Sequence, residues 1–167
     1  MTTTPRIEDR SERPYVGTRT VMPMSDFERK IPAMTQEVMA DCETSGLPPA
    51  GPVFLRYHII DMPDRMDVEL GVPIPSPHPA DGPVVTGTLP GGRYAVLVYT
   101  GVANGVAANR QLLDWVKATG ERVDSAPVPT GEAFASRLET FLTDEKADSD
   151  RDRWEIEVAM KLEDRDR

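Results

Sequence analysis

The chain is poor in the residues that build metal and thiol chemistry, with one cysteine and two histidines among 167 residues. The single Cys42 has no partner for an internal disulfide. Together with His58 and His78 it gives no spacing typical of zinc ligands. We therefore expect neither a metal site nor a cofactor.

Long hydrophobic runs are also missing. No stretch approaches the roughly 18 consecutive apolar residues of a membrane span. The N-terminal sequence MTTTPRIEDRSERP has no apolar signal region. These absences predict a soluble, cytoplasmic protein without a membrane partner.

Basic residues are fewer than acidic residues. The chain has 19 Lys and Arg against 28 Asp and Glu, a net charge of −9. Nucleic-acid binding needs a basic face, so direct binding of DNA or RNA is not expected, whereas attraction of cationic ligands is permitted. Hydrophobic residues make up 39% of the sequence, which suits one domain with its own core.

The sequence contains an internal repeat. Residues 66–74 and 154–162 both alternate apolar and polar positions, with one aliphatic face and two acids on the other. Residues 15–27 likewise align with residues 94–106 as a strand-like run, a turn and the start of a helix. We infer two units of strand, helix, strand and strand that share one pseudo-symmetric domain.

The local patterns give approximate boundaries. Residues 1–13 are polar and predicted to be a disordered tail, residues 14–163 form the domain, and residues 164–167 form a short C-terminal tail. Helices are predicted from Phe27 to a C-cap at Gly46 and from residue 104 to 119, before Gly120. Strands are predicted at 14–22, 53–60, 66–74, 84–89, 93–100, 134–143 and 154–162, with residues 121–133 as a loop.

A set of short phrases runs through residues 14–163 in a characteristic order and spacing. They are Tyr57-His58, Asp67-Val68-Glu69-Leu70-Gly71-Val72-Pro73, Gly87-x-Leu89-Pro90-Gly91-Gly92-Arg93-Tyr94-Ala95, Thr100-Gly101, Leu113-x-Trp115 with Gly120, Leu138-Glu139-x-Phe141-Leu142-Thr143-Asp144, and Trp154-x-Ile156-Glu157. Together with the repeat, they resemble the GyrI-like small-molecule-binding domain, also called the AraC-type effector-binding domain.

This resemblance implies a fold and a range of activities. The fold is α+β, with duplicated β-α-β-β units forming an antiparallel sheet, two helices on one face and a ligand groove near the pseudo-two-fold on the other. The family includes ligand sensors fused to DNA-binding domains, stand-alone drug-binding or gyrase-protecting proteins, and hydrolases of cyclopropane-containing genotoxins. The chain shows no DNA-binding module, so we expect a stand-alone bacterial member without a direct transcriptional role.

Glu139 is the first candidate for ligand binding. The resemblance implies that the glutamate of the Leu138-Glu139-x-Phe141 phrase lies in the groove and pairs with cationic ligands. A carboxylate beside aromatic rings suits a lipophilic cation, because each cation–π contact contributes about 0.5–2 kcal/mol. The alternative is a surface glutamate paired with Arg137 or Arg56.

Further candidates are Glu69, Glu157 and four aromatic residues. The two acids fall opposite the aliphatic positions of their strands, so they point to the groove if those aliphatics pack under the helices. The alternative for both is a cross-strand pair with arginine. The expected aromatic lining is Tyr57, Tyr99, Phe141 and Trp154. Trp154 falls on the aliphatic side of its strand, and only a bulge or its place at the strand end would bring it to that groove.

The leading functional expectation is a module that binds a hydrophobic, cationic small molecule for multidrug-type sensing or sequestration. One alternative is a hydrolase of a reactive small molecule in which Glu139 or Glu157 activates water. Another is a protein-level topoisomerase inhibitor acting through its acidic surface, which leaves a protein partner open. No Ser-His-Asp or Cys-His arrangement is present, so no catalytic residue is assigned and the non-enzymatic interpretation is favoured.

Overall fold

The computed structural model describes residues 1–61, 64–78 and 85–165. These residues form a 10-stranded sheet and two α-helices, α1 (Phe27–Thr44) and α2 (Gly105–Ala118). The strands are β1 (Arg6–Arg10), β2 (Arg13–Met22), β3 (Phe54–Asp61), β4 (Arg65–Pro73), β5 (Val85–Leu89), β6 (Gly92–Thr100), β7 (Ser125–Val128), β8 (Gly131–Phe134), β9 (Arg137–Phe141) and β10 (Glu155–Lys161). No helix in these residues combines the length and apolarity needed to cross a membrane.

The sheet is antiparallel and has the order β1-β6-β10-β9-β3-β4-β2-β5, with the β7-β8 hairpin attached to β3. The pair β9 and β3 forms the seam between two halves of similar layout. Each half runs strand, helix, strand, strand, as β2-α1-β3-β4 and as β6-α2-β9-β10 with the hairpin inserted after α2. The α+β class and the antiparallel sheet are confirmed, while the duplication of units stays a prediction.

Both helices lie on one face of the sheet. Side chains from the middle of α1 pack on Val68 and Leu70 of β4, and those of α2 pack on Leu97 and Val158 of β6 and β10. The two groups share a face because directly opposed residues in paired strands point to the same side. The register runs Leu55, Glu139, Val158 and Leu97 across four neighbouring strands, which connects the two cores.

The opposite face is packed over its centre. The side chains of Tyr15 and Phe54 meet edge to face at 5.2 Å between ring centroids, and both are buried. They belong to a third apolar cluster with Leu89, Tyr94, Val96, Leu138 and Ala159. Aromatic and aliphatic side chains therefore fill the region where the sequence analysis placed a groove.

The N-terminal segment differs from the expectation of a disordered tail. Residues 6–10 form β1, which pairs with β6 at the edge of the sheet, and the amide of Thr3 also donates to the carbonyl of Val98. The reason is the edge of β6, whose N–H and C=O groups would otherwise lie unpaired in the sheet. The domain therefore begins before residue 14.

Two further boundaries differ. The single strand predicted at 134–143 is divided into β8 and β9, because the backbone at Ala135 and Ser136 turns aside to pair with Asp124 and Lys161. The predicted loop 121–133 consequently contains β7 and most of β8. Residues 84 and 166–167, included in the predicted strand 84–89 and in the predicted C-terminal tail, lie outside the described residues.

Candidate functional site

A cavity of about 1520 Å³ opens between α1 and α2 over the seam of the sheet. Each helix covers the core of its own half, and the cavity lies in the gap that remains between the two helices above β3 and β9. The cavity is larger than the roughly 300–1,000 Å³ typical of pockets for drug-sized ligands. It lies on the helix-bearing face, so the prediction of a groove on the opposite face is wrong.

Five of the seven predicted ligand-binding residues line this cavity, namely Glu139, Tyr57, Tyr99, Phe141 and Trp154. Their side chains share the helix-bearing face because Glu139 is directly opposite Leu55, and Tyr99 and Phe141 are both opposite Ile156. The rings of Phe141 and Trp154 meet edge to face at 6.3 Å. Trp154 needs no bulge, because the aliphatic side of its strand is the cavity side.

The other two predicted residues do not line the cavity. Glu69 accepts hydrogen bonds from the hydroxyl of Tyr15 at 2.5 Å and lies 2.8 Å from Nε2 of His58, on the opposite face. Glu157, also on that face, forms an ion pair with Arg10 at 2.7 Å. The prediction that they share one groove with Glu139 is therefore wrong. The aliphatic side chains that pack under the helices are on the cavity side of the sheet, so the acids opposite them face away from the cavity. Of the two carboxylates considered as bases for hydrolysis, only Glu139 lies in the cavity.

Glu139 is held in place by neutral donors. The hydroxyl of Tyr99 donates to its Oε2 at 3.0 Å, and the side-chain amide of Asn109 on α2 donates to its Oε1 at 3.4 Å. Arg56 hydrogen-bonds to Tyr15 and to the backbone of Ala135, away from the cavity. The carboxylate therefore faces the cavity without an arginine bound to it among the described residues.

Two tyrosines, Tyr57 and Tyr99, line the cavity beside this carboxylate. Burial raises the pKa of Tyr99, and the negative charge of Glu139 raises it further. The pKa of Tyr57 is raised by the same two causes. Both phenols therefore stay protonated and neutral at physiological pH.

Asn109 and Arg137 are site residues that the sequence reasoning missed. Nη2 of Arg137 donates to Oδ1 of Asn109 at 3.1 Å, which links the arginine to Glu139 through the amide. The positions of Arg137 and Glu139 on one side of a strand were readable from the alternation on β9. Asn109 gave no comparable signal, because its contact with Glu139 depends on where α2 crosses the sheet.

The charge of the lining is mainly negative. Eight carboxylates and four basic side chains line the cavity, a net of −4. Most of these carboxylates lie at the mouth, on α1, on α2 and in residues 144–152. Among the described residues, no group of His, Cys, Asp and Glu is arranged to hold a metal ion.

Comparisons with known proteins give a family and a fold. The family model described as the GyrI-like small molecule binding domain matches residues 3–129. The C-terminal domain of EcmrR superposes with a TM-score of 0.76 at 20% identity, over 97% of this chain and 98% of that domain. In the complex of EcmrR with DNA, this chain spans 58% of the length of the EcmrR chain. No curated protein matches significantly.

Two more distant solved structures share the fold. One is described as a hydrolase from Listeria innocua, with a TM-score of 0.65 at 12% identity over 95% of this chain and 91% of that chain. The other is SAV2435 bound to tetraphenylphosphonium, with a TM-score of 0.57 at 12% identity over 96% of this chain and 94% of that chain.

Proposed function

Because the chain belongs to the GyrI-like small-molecule-binding domain family, we propose that its cavity binds a hydrophobic, positively charged small molecule in order to sense or sequester it. The observation that carries this proposal is the position of Glu139. Its carboxylate lies on the floor of the cavity between α1 and α2, with six aromatic side chains among the lining residues.

The aromatic residues and the carboxylate favour different parts of such a ligand. Aromatic side chains offer apolar area and ring faces, and each contact of a cation with a ring contributes about 0.5–2 kcal/mol. A carboxylate about 4 Å from a cation adds roughly 4 kcal/mol of attraction at the effective dielectric constant near a protein surface. Since Tyr99 and Asn109 already hold Glu139 in place, little further ordering of the side chain is needed on binding.

The structure of SAV2435 with tetraphenylphosphonium supports this class of ligand. That compound is a permanent cation covered by four phenyl rings, and it has no hydrogen-bonding group. A site that accepts it must rely on apolar area, ring contacts and charge. The cavity described above offers all three.

The test is a titration of tryptophan fluorescence with tetraphenylphosphonium and with tetraphenylborate, an anion of nearly the same shape. Trp154 lines the cavity and serves as the reporter. We expect saturable binding of the cation, and weaker or no binding of the anion. Glu139→Gln should weaken binding of the cation at least tenfold, equivalent to about 1.4 kcal/mol.

Glu157→Gln is the matched control, since it removes the same charge from the opposite face of the sheet. It should leave the affinity for tetraphenylphosphonium unchanged. Equal affinities for the cation and the anion, or an equal loss in both variants, would show that Glu139 does not select the charge of the ligand.

A further inference from the structure

The cavity contains a cation of its own, Arg137, two residues before Glu139 on β9. The guanidinium lies over the ring of Phe134, with its central carbon 4.8 Å from the ring centroid. Nη2 is the nitrogen that donates to a described residue, Asn109. The Nε atom is buried and has no hydrogen-bond partner among the described residues.

The environment of Arg137 does not neutralise it. No carboxylate of the described residues lies within ion-pair distance of its guanidinium. Burial lowers the pKa of Arg137, against the opposing influence of Tyr57, Glu139 and Glu132. Arginine nevertheless stays protonated in proteins, so a partly desolvated positive charge remains beside the ligand space. Buried donors that lack a partner are uncommon and call for an explanation.

A simple cation would be attracted by Glu139 and repelled by Arg137. A ligand that also carries a carboxylate or another strong acceptor would instead contact both groups favourably. Residues two apart on a strand are separated by about 6.6–6.8 Å. That spacing applies to the backbone, and the side-chain amide of Asn109 contacts both Glu139 and Arg137, so the two charged groups are close enough for one small molecule to reach both.

We propose that the ligands of this cavity are amphoteric, with a hydrophobic cationic part that binds against Glu139 and an anionic or strongly accepting group that binds to Arg137. This proposal rests on the proposed function and narrows its class of ligand. The planar guanidinium suits a carboxylate in particular, because it donates through a fixed pair of N–H groups. Arg137 is then a determinant of specificity rather than a counter-ion for Glu139.

The probes are rhodamine B, which carries a free carboxylate beside its cationic ring system, and its ethyl ester, which is a cation without that carboxylate. Binding is followed by fluorescence anisotropy at neutral pH. We expect the wild-type protein to bind rhodamine B at least tenfold more tightly than the ester. This comparison needs no variant, so it is decisive even if substitution of Arg137 impairs folding.

Variants then assign the preference to its residue. Arg137→Met should weaken binding of rhodamine B at least tenfold and strengthen binding of the ester, because an acceptor contact and a like-charge repulsion are both removed. Arg137→Lys should retain part of the preference for the acid. Arg122→Met, which removes an exposed arginine outside the cavity, is the control and should behave as wild type.

Several results would overturn the proposal. They are equal wild-type affinities for the two dyes, a preference for the ester, binding of neither dye, or an equal loss of both dyes in Arg137→Met. The proposed function is decided separately. Binding of tetraphenylphosphonium that depends on Glu139, without a preference for rhodamine B, would uphold cation binding and reject the amphoteric class.

Discussion

At the scale of the residue, Glu69 shows how a carboxylate is kept ionised inside the sheet. Its side chain is buried on the face away from the cavity, with 3% of its surface exposed. Burial acts to raise its pKa, but hydrogen bonds with His58 and Tyr15 and the electrostatic influence of His58 and Arg56 outweigh burial. The pKa of Glu69 is therefore lowered in the folded protein.

A lowered pKa fixes the sign of the dependence on pH. Ionised Glu69 stabilises the fold above the pKa of an unfolded glutamate, about 4.3, and this contribution is lost as the pH falls through the lower folded value. Glu69→Gln should therefore be destabilised at pH 7, by about 1–3 kcal/mol for a charged buried hydrogen-bond partner. It should also lose less stability than wild type between pH 5 and pH 3.

The measurement is the free energy of unfolding in urea at pH 7, 5, 4 and 3. Glu37→Gln, which removes an exposed carboxylate from α1, should reproduce the wild-type curve. If Glu69→Gln runs parallel to wild type over the acid range, the hydrogen bonds at Glu69 do not govern acid stability.

The alternation of residues along the strands predicted the side of the strand on which Glu139 and Glu69 each lie, but not which face of the sheet carries the cavity. Glu139 and Phe141 share a side of β9, and Glu69 lies opposite its aliphatic neighbours, as the pattern indicated. Which face is open depends on the gap between α1 and α2 and on the rings of Tyr15 and Phe54 that close the other face. Such long-range packing cannot be inferred from the sequence of one strand.

At the scale of the element, β1 shows the limit of composition as a guide. Its sequence, RIEDR, is as polar as a disordered tail, yet all five residues pair with β6. Edge strands carry charged side chains because these oppose pairing with other chains. A solvated edge strand and a disordered tail therefore have the same composition, and only the partner strand distinguishes them.

Deleting residues 1–11 tests the contribution of β1. Each backbone hydrogen bond contributes a net of about 0.5–1.5 kcal/mol, so we expect the free energy of unfolding to fall by roughly 2–5 kcal/mol. The exposed edge of β6 should also cause self-association. Urea unfolding and light scattering after size-exclusion chromatography measure the two effects.

Ile7→Ser is the companion variant, because it removes the apolar contact of β1 with the core beneath α2 while keeping the backbone ladder. It should be less destabilised than the deletion and remain in the wild-type oligomeric state. A deletion that unfolds like wild type and does not associate would show that the pairing of β1 contributes little in solution.

At the scale of the whole molecule, the site is a consequence of two cores that meet at a seam. Phe141 packs against the cores beneath both helices, and β9 and β3 join the two halves edge to edge. The internal repeat predicted two similar units, but the width of the space between their helices could not be read from it. That space is what leaves Glu139 and the aromatic residues lining an open cavity.

The net charge of the molecule also affects how charged ligands approach the cavity. The chain carries a net charge of −9, and the lining of the cavity contributes −4. A mouth lined mainly by one sign of charge raises the local concentration of oppositely charged ligands and speeds their association. Exposed charges are screened over about 10 Å at 0.1 M salt, whereas partly buried ones are screened much less.

The dependence of binding on salt should therefore separate the contribution of the acids at the mouth from the contribution of Glu139 on the cavity floor. Between 20 and 300 mM NaCl, we expect the association rate of tetraphenylphosphonium to fall several-fold in stopped-flow fluorescence, because the acidic mouth is screened. The association rate of triphenylphosphine oxide, which is neutral, should not change. Glu139→Gln should mainly raise the dissociation rate if, as proposed, its carboxylate contacts the bound cation rather than attracting it from solution. An association rate for the cation that is independent of salt would mean that the acids at the mouth serve solubility alone, and that charge selection takes place entirely on the cavity floor.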